Sequence, residues 1–445
     1  MTGRRVAIVG AGFSGASVAA QLLRARGRNE VALIERGKRF GPGLAYGGQD
    51  KTFLLNVRAA NMSALPDEPA DFVRWLGPST EAGAGDIFAP REKYGRYIEH
   101  ALRDAERARF GKLKRVSGAA IACRPEGEGW RVELDHGKAF SVDAVVLALG
   151  NVQALPLGPL GDVPVLDAWD APARRRISRR ADVLLAGTGL TAIDVALALE
   201  AQHHQGVIYA LSRRGLIPHA QTTASRAPSF HVGDFPQPLS NALKTFRREV
   251  AAMAARGEPW PWAMERIRAA TPDLWMRLTL EQQSRFLRHL RPWWDTHRHR
   301  AAPEIRARVD ELIKQGRLRI LAGEVVAATP STRGVHVMHR QRGSFVRHRL
   351  EVGAVINCTG AAFDVITSSD PLVMQLRNEG FARPHPTGLG FDVDRTGALI
   401  GADGRASPTL FTLGPPTQGA FWEATAVPEI RKRAEYMAQI LTDHG

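Results

Sequence analysis

A glycine-rich turn close to the start of the chain limits what this sequence can fold into. The apolar run Val6–Val9 predicts a buried parallel strand, and a GxGxxG turn and a predicted helix follow it directly. In such a unit Gly10 permits the tight turn, and Gly12 lets a pyrophosphate approach the backbone. Gly15 lets the helix pack close to the strand. The free N–H groups at the helix start would then bind the phosphates, so the stretch predicts a dinucleotide site.

A carboxylate in the expected place supports this interpretation. A second predicted strand, Val31–Ile34, ends in Glu35, which lies 20 residues beyond Gly15. A carboxylate at that spacing can accept hydrogen bonds from a ribose 2′-OH. The alternative is a plain βαβ unit that binds no nucleotide.

A second unit of the same kind starts near residue 183. An apolar strand ends in Gly187 and Gly189, a helix follows, and the small residue Ala192 takes the place of the third glycine. The next predicted strand is followed by Arg213 and Arg214, with no carboxylate at the usual spacing. Arginines without an acid favour a ribose 2′-phosphate, so this site is expected to prefer NADPH over NADH. The alternative is that both arginines belong to a solvated surface.

Residues 235–316 depart from the alternating pattern and predict a mainly helical insertion. They contain five tryptophans and many arginines but no strong strand runs. The stretch 293–300 could form a wall of a substrate or nicotinamide pocket, or an aromatic core beside a charged helix face. His297 and His299 are two residues apart, a spacing that does not suit a helical metal pair, and no metal site is predicted.

Two further apolar runs end in glycine, as the first strand does. Residues 144–149 lead to Gly150, and residues 354–358 lead to Gly360. Near the C-terminus a strand ends at Gly414, and a helix is predicted from about Val427 with Thr425 as its N-cap. That helix start is a second candidate anion-binding end.

Composition excludes several classes of function. The two cysteines, Cys123 and Cys358, are far apart in sequence, which excludes a CxxC redox pair and fits a reducing compartment. No apolar run is long enough for a membrane span, so a cytoplasmic protein without a membrane partner is expected. The net charge of +15 comes from dispersed basic residues without a nucleic-acid-binding motif, so no nucleic-acid partner is predicted.

Several stretches together resemble the bacterial FAD/NAD(P)-binding oxidoreductases related to flavin N-hydroxylases and Baeyer–Villiger-type monooxygenases. They are GAGFSG at 10–15, GPGLAYG at 41–47, LLNVRAANMSALPDEPADFVRWL at 54–76, LLAGTGLTAID at 184–194, INCTG at 356–360 and TLGPPTQGAFWEATAVPEIR at 412–431. The resemblance implies an α/β flavoprotein with two Rossmann-like dinucleotide-binding domains, the second carrying the helical insertion. Residues 1–155 and 350–445 would form the FAD domain, and residues 156–349 the NADPH domain.

The resemblance also implies which residues contact the cofactors. For FAD these are Gly10, Gly12, Phe13, Ser14, Gly15, Glu35, Arg36, Tyr46, Asn56, Met62, Gly150, Gly360, Gly414, Trp422 and Thr425. For NADPH they are Gly187, Gly189, Leu190, Thr191, Arg213 and Arg214.

The implied activity is NADPH-dependent hydroxylation of a small molecule through a C4a-(hydro)peroxyflavin, which needs no side-chain acid or base. One departure favours an alternative: residues 165–170 lack the histidine-containing stretch that flavin monooxygenases of the broad group often carry. The alternative is an NADPH-dependent flavin reductase or dehydrogenase that passes electrons to a small or protein acceptor. A third possibility, motivated by the charge, is a nucleotide-binding sensor.

Overall fold

The computed structural model describes residues 3–443 except 49–51, 78–82, 84, 108–109, 152–159, 162, 224–227 and 361–362. The expected domain boundary at 155–156 therefore lies outside the described residues.

Within these residues the strands are β1 (Arg5–Val9), β2 (Glu30–Glu35), β3 (Lys112–Ser117), β4 (Ala120–Glu126), β5 (Gly129–Leu134), β6 (Ala139–Val142), β7 (Ala144–Leu147), β8 (Val165–Asp167), β9 (Val183–Ala186), β10 (Ile208–Ser212), β11 (Leu318–Ser331), β12 (Gly334–Gln341), β13 (Arg347–Val352), β14 (Ala354–Asn357), β15 (Ala398–Ile400) and β16 (Ala406–Thr412). The helices are α1 (Phe13–Arg24), α2 (Gly43–Tyr46), α3 (Asp71–Leu76), α4 (Arg91–Arg107), α5 (Ala171–Arg175), α6 (Leu190–Ala201), α7 (Leu239–Ala255), α8 (Pro261–Ile267), α9 (Thr271–Met276), α10 (Leu280–His289), α11 (Arg291–Arg298), α12 (Pro303–Lys314), α13 (Pro371–Asn378) and α14 (Val427–Asp443).

The first sheet is built from both ends of the chain. Its strand order is β15-β16-β7-β1-β2-β3, and all pairs except β15 with β16 are parallel. Because side chains alternate along a strand, Val6 and Ile8 pack beneath α1, α4 and α14, whereas Ala7 and Val9 face a small sheet of β4, β5 and β6. Residues 6–9 of β1 are buried on both faces of the sheet, which explains why this run is continuously apolar.

The second sheet has the order β13-β12-β11-β10-β9-β14-β8, and its centre is parallel. Helices α6 and α12 cover one face through Val195, Leu199, Val309 and Leu312. The antiparallel strands β12 and β13 cover the other, where Val337 joins the core. Both faces of the parallel strands are thereby buried.

The position of β14 corrects one expected boundary. The sequence analysis placed residues 350–445 with the first domain, but β14 pairs with β9 and β8 of the second sheet. The chain returns to the first sheet only after Gly360. A short apolar strand that ends in glycine has the same sequence signature in either sheet, so the pattern alone could not assign β14.

Helices α7 to α12 occupy residues 239–314, and a small apolar core lies among them. That core contains Phe230, Phe235, Met253, Ala263 and Ile267. These helices also contact the C-terminal part of the chain: the Trp275 indole N–H donates to the Gly419 carbonyl at 2.7 Å. In the described part of the chain, no helix is both long and apolar enough to cross a membrane.

Candidate cofactor site

The glycines of the first turn have three different surroundings. Gly10 has φ +98°, and a Cβ there would lie 2.3 Å from the Ala148 carbonyl oxygen of the neighbouring strand. A Cβ on Gly15 would lie 1.9 Å from the Gly10 oxygen. Gly12 is different, because a Cβ there would meet only the Gly43 Cα at 3.5 Å. The structure thus needs Gly10 and Gly15 for packing and leaves room above Gly12 for a ligand group.

Glu35, at the end of β2, is hydrogen-bonded to the backbone of this turn. Its carboxylate accepts hydrogen bonds from the Ala11 N–H at 2.8 Å and from the Gly37 N–H at 3.0 Å. Each carboxylate oxygen has a second lone pair, so the group can still accept from ribose hydroxyls. Its neighbour Arg36 is mostly exposed and pairs with Asp370 at 3.0 Å.

Helix α1 begins at the turn, and the returning chain packs against its first residues. Ser14 is buried, and a Cβ on Gly414 would lie 2.5 Å from its hydroxyl oxygen. The first-turn N–H groups of an α-helix have no partner within the helix, so α1 presents donors here. Gly150, with φ +69°, faces open space at the end of β7. These groups together form a cradle for an anion, called here the first cradle.

The second cradle repeats this arrangement on the other sheet. Gly187 has φ +125°, and its Cβ would lie 2.3 Å from the Cys358 oxygen, as Gly10 approaches Ala148. A Cβ on Gly189 would meet nothing within 4 Å. Gly360, with φ +89°, also faces open space and occupies the place that Gly150 has in the first cradle. Gly360 therefore belongs to the second cradle and not, as expected, to the first domain.

The end of β10 is tied to the second glycine turn. The hydroxyls of Thr188 and Ser212 lie 2.8 Å apart. Arg213, which follows, is exposed, whereas Arg214 is half-buried with its guanidinium 5.9 Å from the centre of the Trp293 ring. Of the two arginines named from the sequence, Arg213 is thus the one open to a phosphate. Leu190 and Thr191 begin α6 and stay half-buried.

Arg91 and Asn56 of the first nucleotide fold both contact residues of the second. Arg91 at the start of α4 forms a buried ion pair with Asp194 of α6 at 2.8 Å. Its guanidinium also lies within 6 Å of the Phe53 and Trp169 ring centres. The carbonyl of Asn56 accepts a hydrogen bond from the Gln221 side chain at 2.9 Å. Asn56 therefore lies at a contact between the two nucleotide folds.

Phe13 and Tyr46 form an aromatic cluster beside the first cradle. Their rings meet edge to face, 6.4 Å apart, and Tyr46 also contacts Tyr94 at 4.7 Å. Burial raises the pKa of the Tyr46 hydroxyl to about 12, so this group stays protonated at neutral pH. The cluster supports the loop that packs on Gly12.

Three residues named from the sequence have surroundings that favour other roles. Met62 is buried in the core of the first domain, where an apolar side chain packs. Trp422 is buried as well, stacked on Trp275 with ring centres 4.7 Å apart. Thr425 is exposed, and the carbonyl of Ala426 accepts the first helical bond of α14, so Ala426 is the N-cap.

The buried charges of this region were not apparent in the sequence. Glu423 is almost fully buried and pairs with Arg298 at 2.8 Å, and Arg268 pairs with Glu429 at 2.8 Å. His299 is close to these groups, and burial lowers its pKa. No signal in the sequence marks an arginine of one helix as the partner of an acid more than a hundred residues away.

Neither a metal nor a thiol site is present among the described residues. No group of three or more His, Cys, Asp or Glu in this part of the chain could hold a metal ion. Cys123 and Cys358 lie in separate apolar cores, and burial raises the pKa of both thiols, that of Cys123 to about 12. A dithiol is thus not available to accept electrons.

Comparison with protein families agrees with the geometry of the first cradle. The match to the family described as FAD-NAD(P)-binding covers residues 7–152, which include the last three residues of β1, the glycine turn, Glu35 and Gly150. A comparison with curated protein sequences finds no match.

Solved structures share the fold of the whole chain. The reduced form of an ornithine hydroxylase from Pseudomonas aeruginosa has a TM-score of 0.67 at 16% identity, with 100% of both chains covered. The L-lysine 6-monooxygenase from Pseudomonas syringae gives 0.67 and 16%, with 99% of both covered. An ornithine N-hydroxylase from Kutzneria sp. 744, solved with reduced FAD, NADP⁺ and L-ornithine, gives 0.65 and 16%, with full coverage of both. The chain thus shares its α/β fold with these proteins over its whole length.

Proposed function

We propose that this protein is an NADPH-dependent flavin monooxygenase that hydroxylates a small molecule. One observation carries the proposal: two glycine cradles of the same construction lie at the carboxyl ends of the parallel strands of two sheets, and a largely buried ion pair joins the elements beside them. In open α/β sheets ligands bind at the carboxyl ends of the strands. FAD would occupy the first cradle and NADPH the second.

The chain's own groups would position the two cofactors. The first-turn N–H groups of α1 and α6 would bind the two pyrophosphates, and the Glu35 carboxylate would accept from the FAD ribose. The Arg213 guanidinium would pair with a 2′-phosphate of NADPH. Bound FAD supplies the hydride acceptor and the reaction with oxygen, so the protein needs no catalytic acid or base of its own.

Two further observations support this choice over an electron-transfer role. The cysteines lie in separate cores, so electrons have no thiol route out of the site. Three solved structures that share the fold at TM-scores of 0.65 to 0.67 are hydroxylases or a monooxygenase of amino acids, whereas thioredoxin and bacillithiol disulfide reductases share it at 0.52 to 0.58; the first group agrees with a small polar substrate.

The test is a stopped-flow experiment on the FAD-loaded protein. The protein is reduced with NADPH without oxygen, then mixed with isotopically labelled O₂ and a panel of amines and heteroaromatic compounds. We expect a transient absorbance that is neither oxidised nor reduced flavin, and one labelled oxygen atom in a product. Single-step reoxidation that converts all electrons to hydrogen peroxide, together with rapid reduction of ferricyanide, would instead identify a flavin reductase.

A matched variant separates the two cradles in this test. Gly189→Val adds a side chain in open space at the second cradle, so the fold should tolerate it. We expect this variant to keep its FAD and to be reduced by dithionite but at least about tenfold more slowly by NADPH. Equal NADPH reduction of both proteins would mean that the second cradle does not bind the nicotinamide cofactor.

A further inference from the structure

The turn between β12 and β13 carries the most exposed large apolar side chain in the described part of the chain. Phe345 is 95% exposed and Val346 next to it 56% exposed. Phe345 and Val346 together offer an exposed apolar surface, and burial of that surface against another molecule would be favourable. The charges and the position of the turn indicate which molecule would make this contact.

The strand register places this turn beside the second cradle. Ser212 at the end of β10 pairs with Ala322 of β11. The Ala322 carbonyl accepts a hydrogen bond from the Arg342 N–H at 2.9 Å. A Cβ on Gly215, just after the two arginines, would lie 3.0 Å from the Ala322 Cβ. The turn therefore lies next to the segment that bears Arg213.

The positive charge of the turn is not neutralised. Elsewhere on the same hairpin, Arg340 pairs with Glu324, and Arg349 donates to His336. Arg342 and Arg347 are exposed and have no carboxylate within ion-pair distance among the described residues. The turn thus carries two exposed arginines on either side of Phe345 in sequence, and the neighbouring segment carries the exposed Arg213.

We infer that the β12–β13 turn forms the outer wall of the NADPH adenosine site. Arg342 pairs with the 2′-phosphate from the side opposite Arg213, and the Phe345 ring stacks on the adenine. A dinucleotide whose pyrophosphate lies at Gly189 places its adenosine ribose at the end of β10, which is where the turn approaches. Aromatic rings bind purine bases by stacking, and two guanidiniums match the charge of a phosphate. The inference rests on the proposed function, in which NADPH occupies the second cradle.

The test measures nucleotide binding without turnover. NADP⁺ and NAD⁺ are titrated by calorimetry into the FAD-loaded wild-type protein and into Arg342→Ala and Phe345→Ser. For Arg342→Ala we expect the NADP⁺ dissociation constant to rise about tenfold and that of NAD⁺ to change less than about twofold. For Phe345→Ser we expect both constants to rise by a similar factor of about ten, because both nucleotides carry the adenine.

Arg333→Ala is the matched control, since Arg333 is an exposed arginine at the other end of the same strand. It should leave both constants unchanged, and all three variants should keep the thermal midpoint of the wild type because the altered side chains are exposed. If Arg342→Ala and Phe345→Ser bind like the wild type, the inference is wrong and the proposed function stands. If the wild type binds NADP⁺ no better than NAD⁺, or binds neither, the assignment of the second cradle to NADPH fails, and this inference fails with it.

Discussion

At the scale of single residues, different glycines of the first turn are expected to serve packing and cofactor binding. Gly10→Ala places a Cβ 2.3 Å from the Ala148 oxygen at φ +98°, so we expect a loss of at least about 2 kcal/mol in the free energy of unfolding. Gly12→Ala has φ −72° and room for the methyl group. We expect it to fold like the wild type but to bind FAD at least about tenfold more weakly, because the methyl blocks the pyrophosphate.

Chemical unfolding of the FAD-free proteins and FAD titration by fluorescence quenching measure the two effects separately. A Gly12→Ala protein with wild-type FAD affinity would contradict the binding role of the cradle. The sequence predicts these roles because each glycine of a GxGxxG turn has its own function: the tight turn, the approach of the pyrophosphate, and the packing of the helix on the strand. It could not predict that Glu35 also holds the Ala11 and Gly37 N–H groups, since that contact depends on the folded loop.

A second prediction at this scale concerns Trp422, which the sequence suggested for the flavin environment. Its stack on Trp275 and its edge contact with Phe286 indicate core packing between the helices and the C-terminal turn. Trp422→Ala should therefore lower the free energy of unfolding by about 3 kcal/mol. We expect the absorption spectrum of bound FAD to stay unchanged. An altered flavin spectrum with wild-type stability would show instead that the indole contacts the cofactor.

At the scale of elements, the contact of α4 with α6 joins the two nucleotide folds. Asp194→Asn removes the carboxylate that compensates the buried Arg91 guanidinium, and we expect a loss of about 3 kcal/mol in the free energy of unfolding. The double variant Arg91→Met, Asp194→Leu should recover part of this loss, because Phe53 and Trp169 offer apolar surroundings. Urea unfolding of the three proteins measures both effects. A double variant less stable than Asp194→Asn would contradict this account of the contact.

Elements differed in how far the sequence could predict them. Both βα glycine units and the helical region at 239–314 follow from local patterns, and the structure contains all three. Five strands were not predicted: β3 and β13 are mostly exposed and charged, and β6, β8 and β15 have only three or four residues. Which sheet β14 joins depends on its pairing with β9, which is distant in sequence. The four residues of β14 themselves contain no information on that partner.

At the scale of the whole molecule, we expect five buried or half-buried histidines to make the stability depend on pH. Burial lowers the pKa of His204, His219, His299, His339 and His385 below the ordinary value. The unfolded chain therefore binds more protons than the folded chain below a pH of about 6.5, and the free energy of unfolding falls as the pH is lowered through that range.

Thermal unfolding between pH 7.5 and 5 measures this dependence at about half-unit steps. His299→Asn should reduce the dependence of the thermal midpoint on pH. His299 lies among Asp295, Arg298 and Glu423, and burial disfavours its protonated form in the folded protein. An unchanged slope in this variant would mean that other groups carry the pH dependence.

The central claim is that one chain holds FAD and NADPH in two cradles close enough for hydride transfer. Anaerobic titration of the FAD-loaded protein with NADPH, followed by the absorbance of the flavin, tests it most directly. The account predicts that about one equivalent of NADPH bleaches the bound flavin. A protein that takes up no FAD, or a bound flavin that stays oxidised under excess NADPH yet bleaches with dithionite, would contradict it.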